Sequence, residues 1–275
     1  MKKITFGDSI KYIILVIFSF TSLFPVFLVW ISSFKSTREI YSGPFTLPSS
    51  FNFVNFVDAW NVGHFGIYFI NSFIVTIPTV IIVIALSCLA GFAFAKISFF
   101  GSRVFFIIFL LGLMVPFSSF MIPLYYITRD LRLLGTYFAM ILPSSALGLP
   151  FGIFLMHSFF RSLPSEIMDA ARIDGCSEFG TFLRVMMPLA GPAVFVLFIF
   201  QFMWTWNNFI MPLILLNQEN LRPISLGLMF YQARFTTNPA LISAGVTIAS
   251  LPVVIVFIIF QRHFIHGLTA GSVKG

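Results

Sequence analysis

Charge is what this sequence has least of. Asp, Glu, Lys and Arg make up 9% of its 275 residues, where a soluble domain carries roughly a quarter. Hydrophobic residues reach 59%, with 39 phenylalanines. Such a chain cannot cover itself with polar surface, which excludes a water-soluble globule and makes lipid its solvent. Cysteine is also scarce. Cys88 falls in an apolar run and Cys176 in a charged stretch, so no disulfide is expected, and no His/Cys cluster forms a metal site. No lysine stands in a GxxxxGK[ST] frame, so that device for hydrolysing ATP is absent. No Asp, Glu, Lys or Arg lies near the middle of an apolar run, which argues against a proton-coupled carrier. Enzymatic chemistry has no visible nucleophile–base pair. His263 and His266 have no acidic neighbour and read as an interfacial pair beside Arg262. The net charge of +7 reads as loop charge on a membrane protein, with no nucleic acid as partner.

What is present is a set of long apolar runs, at 10–34, 67–94, 104–127, 137–160, 189–216 and 241–261. An α-helix needs about 20 such residues to cross the hydrocarbon core. The runs are uniformly apolar rather than alternating, which disfavours strands. The expected fold is therefore all-α and polytopic: a single membrane domain over 1–275 with six transmembrane helices. The first run follows Lys2, Lys3 and Lys11 but is long for a signal peptide and lacks a small-residue cleavage site, so it is expected to be retained. With the N-terminus inside, Lys2, Lys3, Lys11, Lys96, Arg103, Arg161, Arg172, Arg184, Arg262 and Lys274 are cytoplasmic. Lys35, Arg38, Arg129, Arg132, Arg222 and Arg234 lie outside, a moderate bias of the right sign. Both termini are then cytoplasmic, with a loop at 161–188 and a tail at 262–275 on that side.

Pro78, Pro116, Pro123, Pro143 and Pro150 are expected to bend their helices. Gly148 with Gly152, and Gly245 with Ala249, offer small faces for close helix approach.

The stretch PSEIMDAARIDGCSEFGTFLRVMMP (164–188) gathers Glu166, Asp169, Arg172, Asp174, Glu178 and Arg184 into an otherwise greasy chain. Pro164 suits a first helical turn. Glu166 and Asp169 follow near the positive end of the helix dipole, with Arg172 near the other end. Asp174-Gly175 breaks the helix, glycine permitting positive φ. A second helix is expected from about Ser177 to Met187, with Phe179, Phe182, Leu183 and Met186 on one stripe and Pro188 opening the next span. Periodicity leaves two readings open: an amphipathic connector at the interface, or a helix–turn–helix that docks into another protein, with Ala170 and Ala171 giving a low profile.

The stretch resembles the cytoplasmic loop of bacterial ABC importer permeases, EAA followed by xxDG, nine residues and I-x-L-P. Here DAA stands at 169–171, DG at 174–175, and Val185-x-Met187-Pro188 closes the pattern. Asp169, Val185 and Met187 depart from the usual Glu, Ile and Leu while keeping charge or apolar character. Other segments resemble the carbohydrate branch, the maltose-type permeases of the MalG kind. These are Asn55-Phe56 before Ala59-Trp60, Phe65 and Tyr68 ahead of Asn71-Ser72, Trp206-Asn207-Asn208-Phe209 with Met211-Pro212-Leu213, and the tail Gly267–Gly275.

The resemblance implies a type I importer permease fold, resident in the bacterial cytoplasmic membrane. It implies pairing with a second, MalF-like permease, two ATPase subunits docked beneath, and an external solute-binding protein delivering sugar. The chain itself would bind no cofactor, ATP and Mg belonging to the ATPase. Coupling would fall to Glu166, Asp169, Ala170, Ala171, Asp174, Gly175, Phe179 and Pro188, with a second ATPase contact from Thr269, Gly271 and Lys274. Sugar recognition needs aromatic faces and amides. Asn71, Gln201, Trp204, Trp206, Asn207 and Asn208 supply both and are the candidates for the path; interfacial anchoring and helix–helix hydrogen bonding are their alternatives. Two rival readings remain: an ABC permease for peptide, phosphate or polyamine, and a self-sufficient channel or carrier.

Overall fold

The computed structural model describes residues 6–269, with side chains described for 10–262. Of the tail positions expected to meet an ATPase, Gly271 and Lys274 lie outside the described residues, as does the side chain of Thr269. Among the described residues all regular structure is helical. In chain order the helices are α1 (Phe6–Ser32), α2 (Thr37–Ser42), α3 (Val54–Val62), α4 (Phe65–Lys96), α5 (Ser102–Leu111), α6 (Phe117–Asp130) and α7 (Phe138–Ser162). There follow α8 (Glu166–Ile173), α9 (Glu178–Leu189), α10 (Gly191–Trp206), α11 (Ile210–Leu215), α12 (Ile224–Arg234) and α13 (Pro239–Thr269).

Ile10–Ser32, Phe65–Lys96, Phe138–Ser162 and Pro239–Arg262 are long and apolar enough to cross a membrane. The other two expected spans are interrupted. The run 104–127 is not one helix: α5 ends at Leu111 with Gly112 as its cap, a turn follows, and Pro116 opens α6. Pro116 is extended at ψ 139, since a residue without an N–H starts a helix more readily than it continues one. Likewise 189–216 divides into α10 and α11 at Asn207–Phe209. Pro78, Pro143 and Pro150 are accommodated inside continuous helices.

The chain divides into two compact units. One comprises Met1–Gly66 with Gly227–Leu251, and its ordering groups were unreadable as such in the sequence. Lys35, expected as an external loop charge, is fully buried. Its Nζ donates to Gly43 O and Pro44 O at 3.1 Å and to Thr46 Oγ1 at 3.5 Å, so the cation is satisfied by oxygens rather than by a carboxylate. Asn55 Nδ2 donates to Ser33 O and Lys35 O at 2.9 and 2.8 Å, pinning the chain where α1 ends.

Glu39 closes a capping box at the start of α2. Its carboxylate accepts from Ser36 N and Oγ at 2.8 and 2.9 Å, and from Ser49 N at 3.1 Å and Ser49 Oγ. These hydrogen bonds, the Ser49 hydroxyl first, hold the Glu39 carboxyl well below its usual 4.5, at about 2. Because the folded value is depressed, the ordering it gives residues 36–49 is present above pH 4.5 and lost as pH falls toward 2. Amide exchange in this loop should therefore be flat from neutral pH to about 4.5 after correction for intrinsic rates, and should quicken below it. Glu39→Gln should abolish that pH dependence, and an unchanged profile in the variant would contradict the assignment.

The second unit comprises Ile67–Leu226 with Pro252–Gly275. Its core joins Val83, Cys88 and Phe92 of α4 to Met156 and Phe160 of α7 and Leu197 of α10. Small residues let the helices close. A Cβ at Gly152 would collide with Ser87 Oγ, and one at Gly91 would sit 2.7 Å from Met156 Cβ.

Candidate functional site

Two arrangements in the second unit carry chemistry. The first is the charged loop. α8 begins at Glu166 with Ser165 before it, so Pro164 lies just outside the helix rather than in its first turn. α8 ends in a Schellman arrangement: Cys176 N donates to Ala171 O at 2.9 Å and Gly175 N to Arg172 O at 3.0 Å, with Gly175 at φ 79. Glycine is required there, because side chains strain the left-handed region. Arg172 fastens the two helices across this turn, its Nη1 3.2 Å from Asp169 Oδ1 and its Nε 2.9 Å from Glu178 Oε1. These charges are exposed, so the pairs set geometry more than stability.

The expected single stripe on the second helix is two neighbouring rows. Phe182 and Met186 are buried, packed in the core with Phe92, Phe160 and Met168. Phe179 and Leu183 instead point outward, 64% and 55% exposed. The segment Phe182–Met186 is a π-turn, whose i→i+5 repeat is wider than an α-helix's. It turns Thr181, Phe182 and Met186 together to the inner side. Ala171 is likewise buried, so the low outer profile belongs to Ala170. With Ile173, 86% exposed, Phe179 and Leu183 leave apolar surface on a loop whose other exposed residues are charged, small or proline. α9 then meets α10 at 76°, so the loop's second helix runs well off the direction of the span it feeds. Glu166, Asp174 and Pro188 are exposed around it.

The second arrangement is a polar cleft of about 100 Å³, lined by Ser144, Leu147, Gly148, Gln201, Trp204, Thr205, Asn208 and Met211. It forms where α7 presents glycine opposite an amide: a Cβ at Gly148 would come within 2.5 Å of Gln201 Oε1. Gln201 is buried and its Nε2 donates to Thr205 Oγ1 at 3.2 Å, while its Oε1 accepts no hydrogen bond among the described residues. Trp204 is held edge-on by Phe151, ring centroids 4.9 Å apart, and remains half exposed. Asn208 is anchored by its backbone, Ser225 Oγ donating to its carbonyl at 2.7 Å, and its Oδ1 caps Met211 N at 3.2 Å.

Of the residues expected on the path, the cleft gathers Gln201, Trp204 and Asn208. Three others stand apart. Trp206 is buried, stacked on Phe202 at 5.5 Å and edged by Phe73 at 5.0 Å. Asn207 is exposed at the end of α10 and outside the cleft. Asn71 fastens the 218–224 loop: Nδ2 donates to Asn220 O and Arg222 O at 2.8 and 2.9 Å, and Oδ1 accepts from Tyr137 Oη at 2.7 Å. Ser72 Oγ beside it accepts from Ile224 N at 2.7 Å. Sequence reasoning missed Ser144 and Thr205 in the cleft, since hydroxyls inside apolar spans ordinarily bond their own helix.

Comparison with known proteins gives a consistent picture. Residues 85–269 match the family model described as binding-protein-dependent transport system inner membrane component. The arabinooligosaccharides transport system permease protein AraQ of Halalkalibacterium halodurans is 37% identical over 94% of this chain and 93% of its own. The diacetylchitobiose uptake system permease protein NgcG of Streptomyces coelicolor is 33% identical over 97% of this chain and 89% of its own. Among solved structures, a chain of a bacterial ABC transporter involved in importing the acidic polysaccharide alginate superposes with a TM-score of 0.82. That match covers 96% of this chain and all of the other at 24% identity, a likeness of fold.

Proposed function

The chain belongs to the binding-protein-dependent transport system inner membrane components, and from that premise we propose that it forms half of the membrane path of an ATP-driven importer for a sugar or oligosaccharide. A second permease subunit completes the path. A separate ATPase dimer drives it, and a solute-binding protein loads it from outside the bacterial cytoplasmic membrane. Both termini and the loop 161–188 face the cytoplasm.

The observation that carries this reading is the exposed apolar trio Ile173, Phe179 and Leu183 on an internally braced turn. An ATPase surface would bury them, and the bracing across the turn suits a docking pair better than an amphipathic connector lying at the interface. The braced helix pair then moves as one lever. When ATP closes the ATPase dimer, the pull on Asp169–Gly175 passes into the core through Met168, Phe182 and Met186. The bundle exchanges inward- and outward-facing states as a population shift. Thr269, Gly271 and Lys274 supply a second contact to the same dimer.

On the path, Trp204 offers a face for a sugar ring, and Gln201, whose buried Oε1 has no hydrogen-bond partner among the described residues, offers an amide to its hydroxyls. An unsatisfied buried acceptor is costly, and a passing hydroxyl relieves it. In the complete importer, Gln201→Leu should weaken sugar uptake about three- to tenfold, the worth of one hydrogen bond. Binding-protein-stimulated ATP hydrolysis should persist. Uptake indistinguishable from wild type would remove Gln201 from the path.

A further inference from the structure

A second cleft, of about 990 Å³, lies away from the polar one and goes beyond the transport reading. It is bounded by the last turn of α4, the connection at 98–101, α5 from Ser102 to Leu110 and the last two turns of α7. Its wall is aromatic and aliphatic, from Phe94, Phe99, Phe106 and Leu110, and its rim carries Arg103 and Arg161. Phe94 holds the wall together, its ring centroid 5.8 Å from Phe99 and 5.7 Å from Phe106, and the His157 ring lies 4.1 Å from Phe106. Phe100 stands fully exposed in front, as a side chain bound for hydrocarbon would.

The charge on this cleft is one-sided. Among the described residues, no acidic side chain lines it. Arg103 and Arg161 make no ion pair among the described residues, where Arg129 pairs with Asp130 and Arg172 with Asp169 and Glu178. Lys96, the neighbouring cation, is already engaged, its Nζ donating to Leu163 O at 2.6 Å. Two guanidinium forks at the mouth of an apolar slot match a phosphate joined to a hydrocarbon chain. A soluble anion would make no use of the aromatic wall. A zwitterionic lipid would bring its ammonium beside two cations.

We propose that this cleft binds an anionic phospholipid, with its phosphate between Arg103 and Arg161 and an acyl chain along Phe94, Phe106 and Leu110. The lipid joins the start of α5 to the end of α7, one turn before the charged loop begins. Lipid composition thereby bears on how firmly that loop is seated.

The test uses the complete importer in detergent, titrated with phosphatidylglycerol or phosphatidylcholine and read by native mass spectrometry. Two interfacial arginines should favour phosphatidylglycerol about thirtyfold. Arg103→Gln with Arg161→Gln should erase the preference. Arg103→Lys with Arg161→Lys, which keeps the charge, should retain most of it and serves should the glutamine pair fail to fold. Equal affinity for both lipids in the wild type would overturn the proposal, as would an undiminished preference in the glutamine pair or loss of preference in a folded lysine pair. Inorganic phosphate displacing phosphatidylglycerol at matched concentration would assign the arginines to a soluble anion and overturn it too. So would loss of the second permease on substitution with lipid preference intact, since the cleft would then be a subunit contact.

Discussion

Gly175→Ala should cut sugar uptake per ATP hydrolysed about tenfold in vesicles carrying the complete importer. Gly175 sits at φ 79, and nothing lies within 4 Å of a Cβ placed there. The variant therefore suffers no collision; its whole penalty is the left-handed backbone, about 1–2 kcal/mol for an L-residue. That is about five- to thirtyfold in the population of the closed turn. The helix pair is braced only while the turn persists, because Arg172 reaches Glu178 across it. Asparagine visits this conformation more readily, so Gly175→Asn should recover much of the loss. Equal coupling in wild type, alanine and asparagine variants would show that the turn transmits nothing.

Phe179→Asp combined with Leu183→Asp should abolish retention of the ATPase while leaving the permease folded. Both side chains already face outward, so the fold loses little. Burying each against a partner is worth about 1.5–3 kcal/mol. Removing two therefore weakens docking by at least about a hundredfold, before the cost of the new charges. Phe182→Ala is the matched opposite. That ring is 5% exposed and packs on Phe92 at 5.2 Å, so its loss should cost about 3–5 kcal/mol of fold stability. Size-exclusion yield and melting temperature report the second effect, and ATPase co-purification reports the first. An ATPase that stays bound to the double aspartate variant would move the docking surface elsewhere.

These two residues also show where sequence stops informing. The loop itself was legible, because a charged, glycine-broken pair of helices stands out against apolar spans. Which row faces inward was not, since Phe179, Phe182, Leu183 and Met186 are equally apolar and the π-turn at Phe182–Met186 leaves no compositional trace. The helical fold class followed from run length alone, yet the interruptions at Gly112–Pro116 and Asn207–Phe209 did not, because proline is tolerated inside α4 and α7. Asn71 illustrates the same limit for the path. An amide in an apolar span signals that something polar is near, and only geometry shows that it is the backbone of Asn220 and Arg222. Lys35 carries the reverse lesson, a loop lysine buried among carbonyls.

The account rests on separation of labour, with the path and lever in this chain and the motor in another. The direct measurement is sugar accumulation in sealed vesicles containing ATP, with the chain reconstituted alone or with its second permease, ATPase and solute-binding protein. Accumulation against the gradient is expected only in the complete assembly. Accumulation by this chain alone would contradict the account.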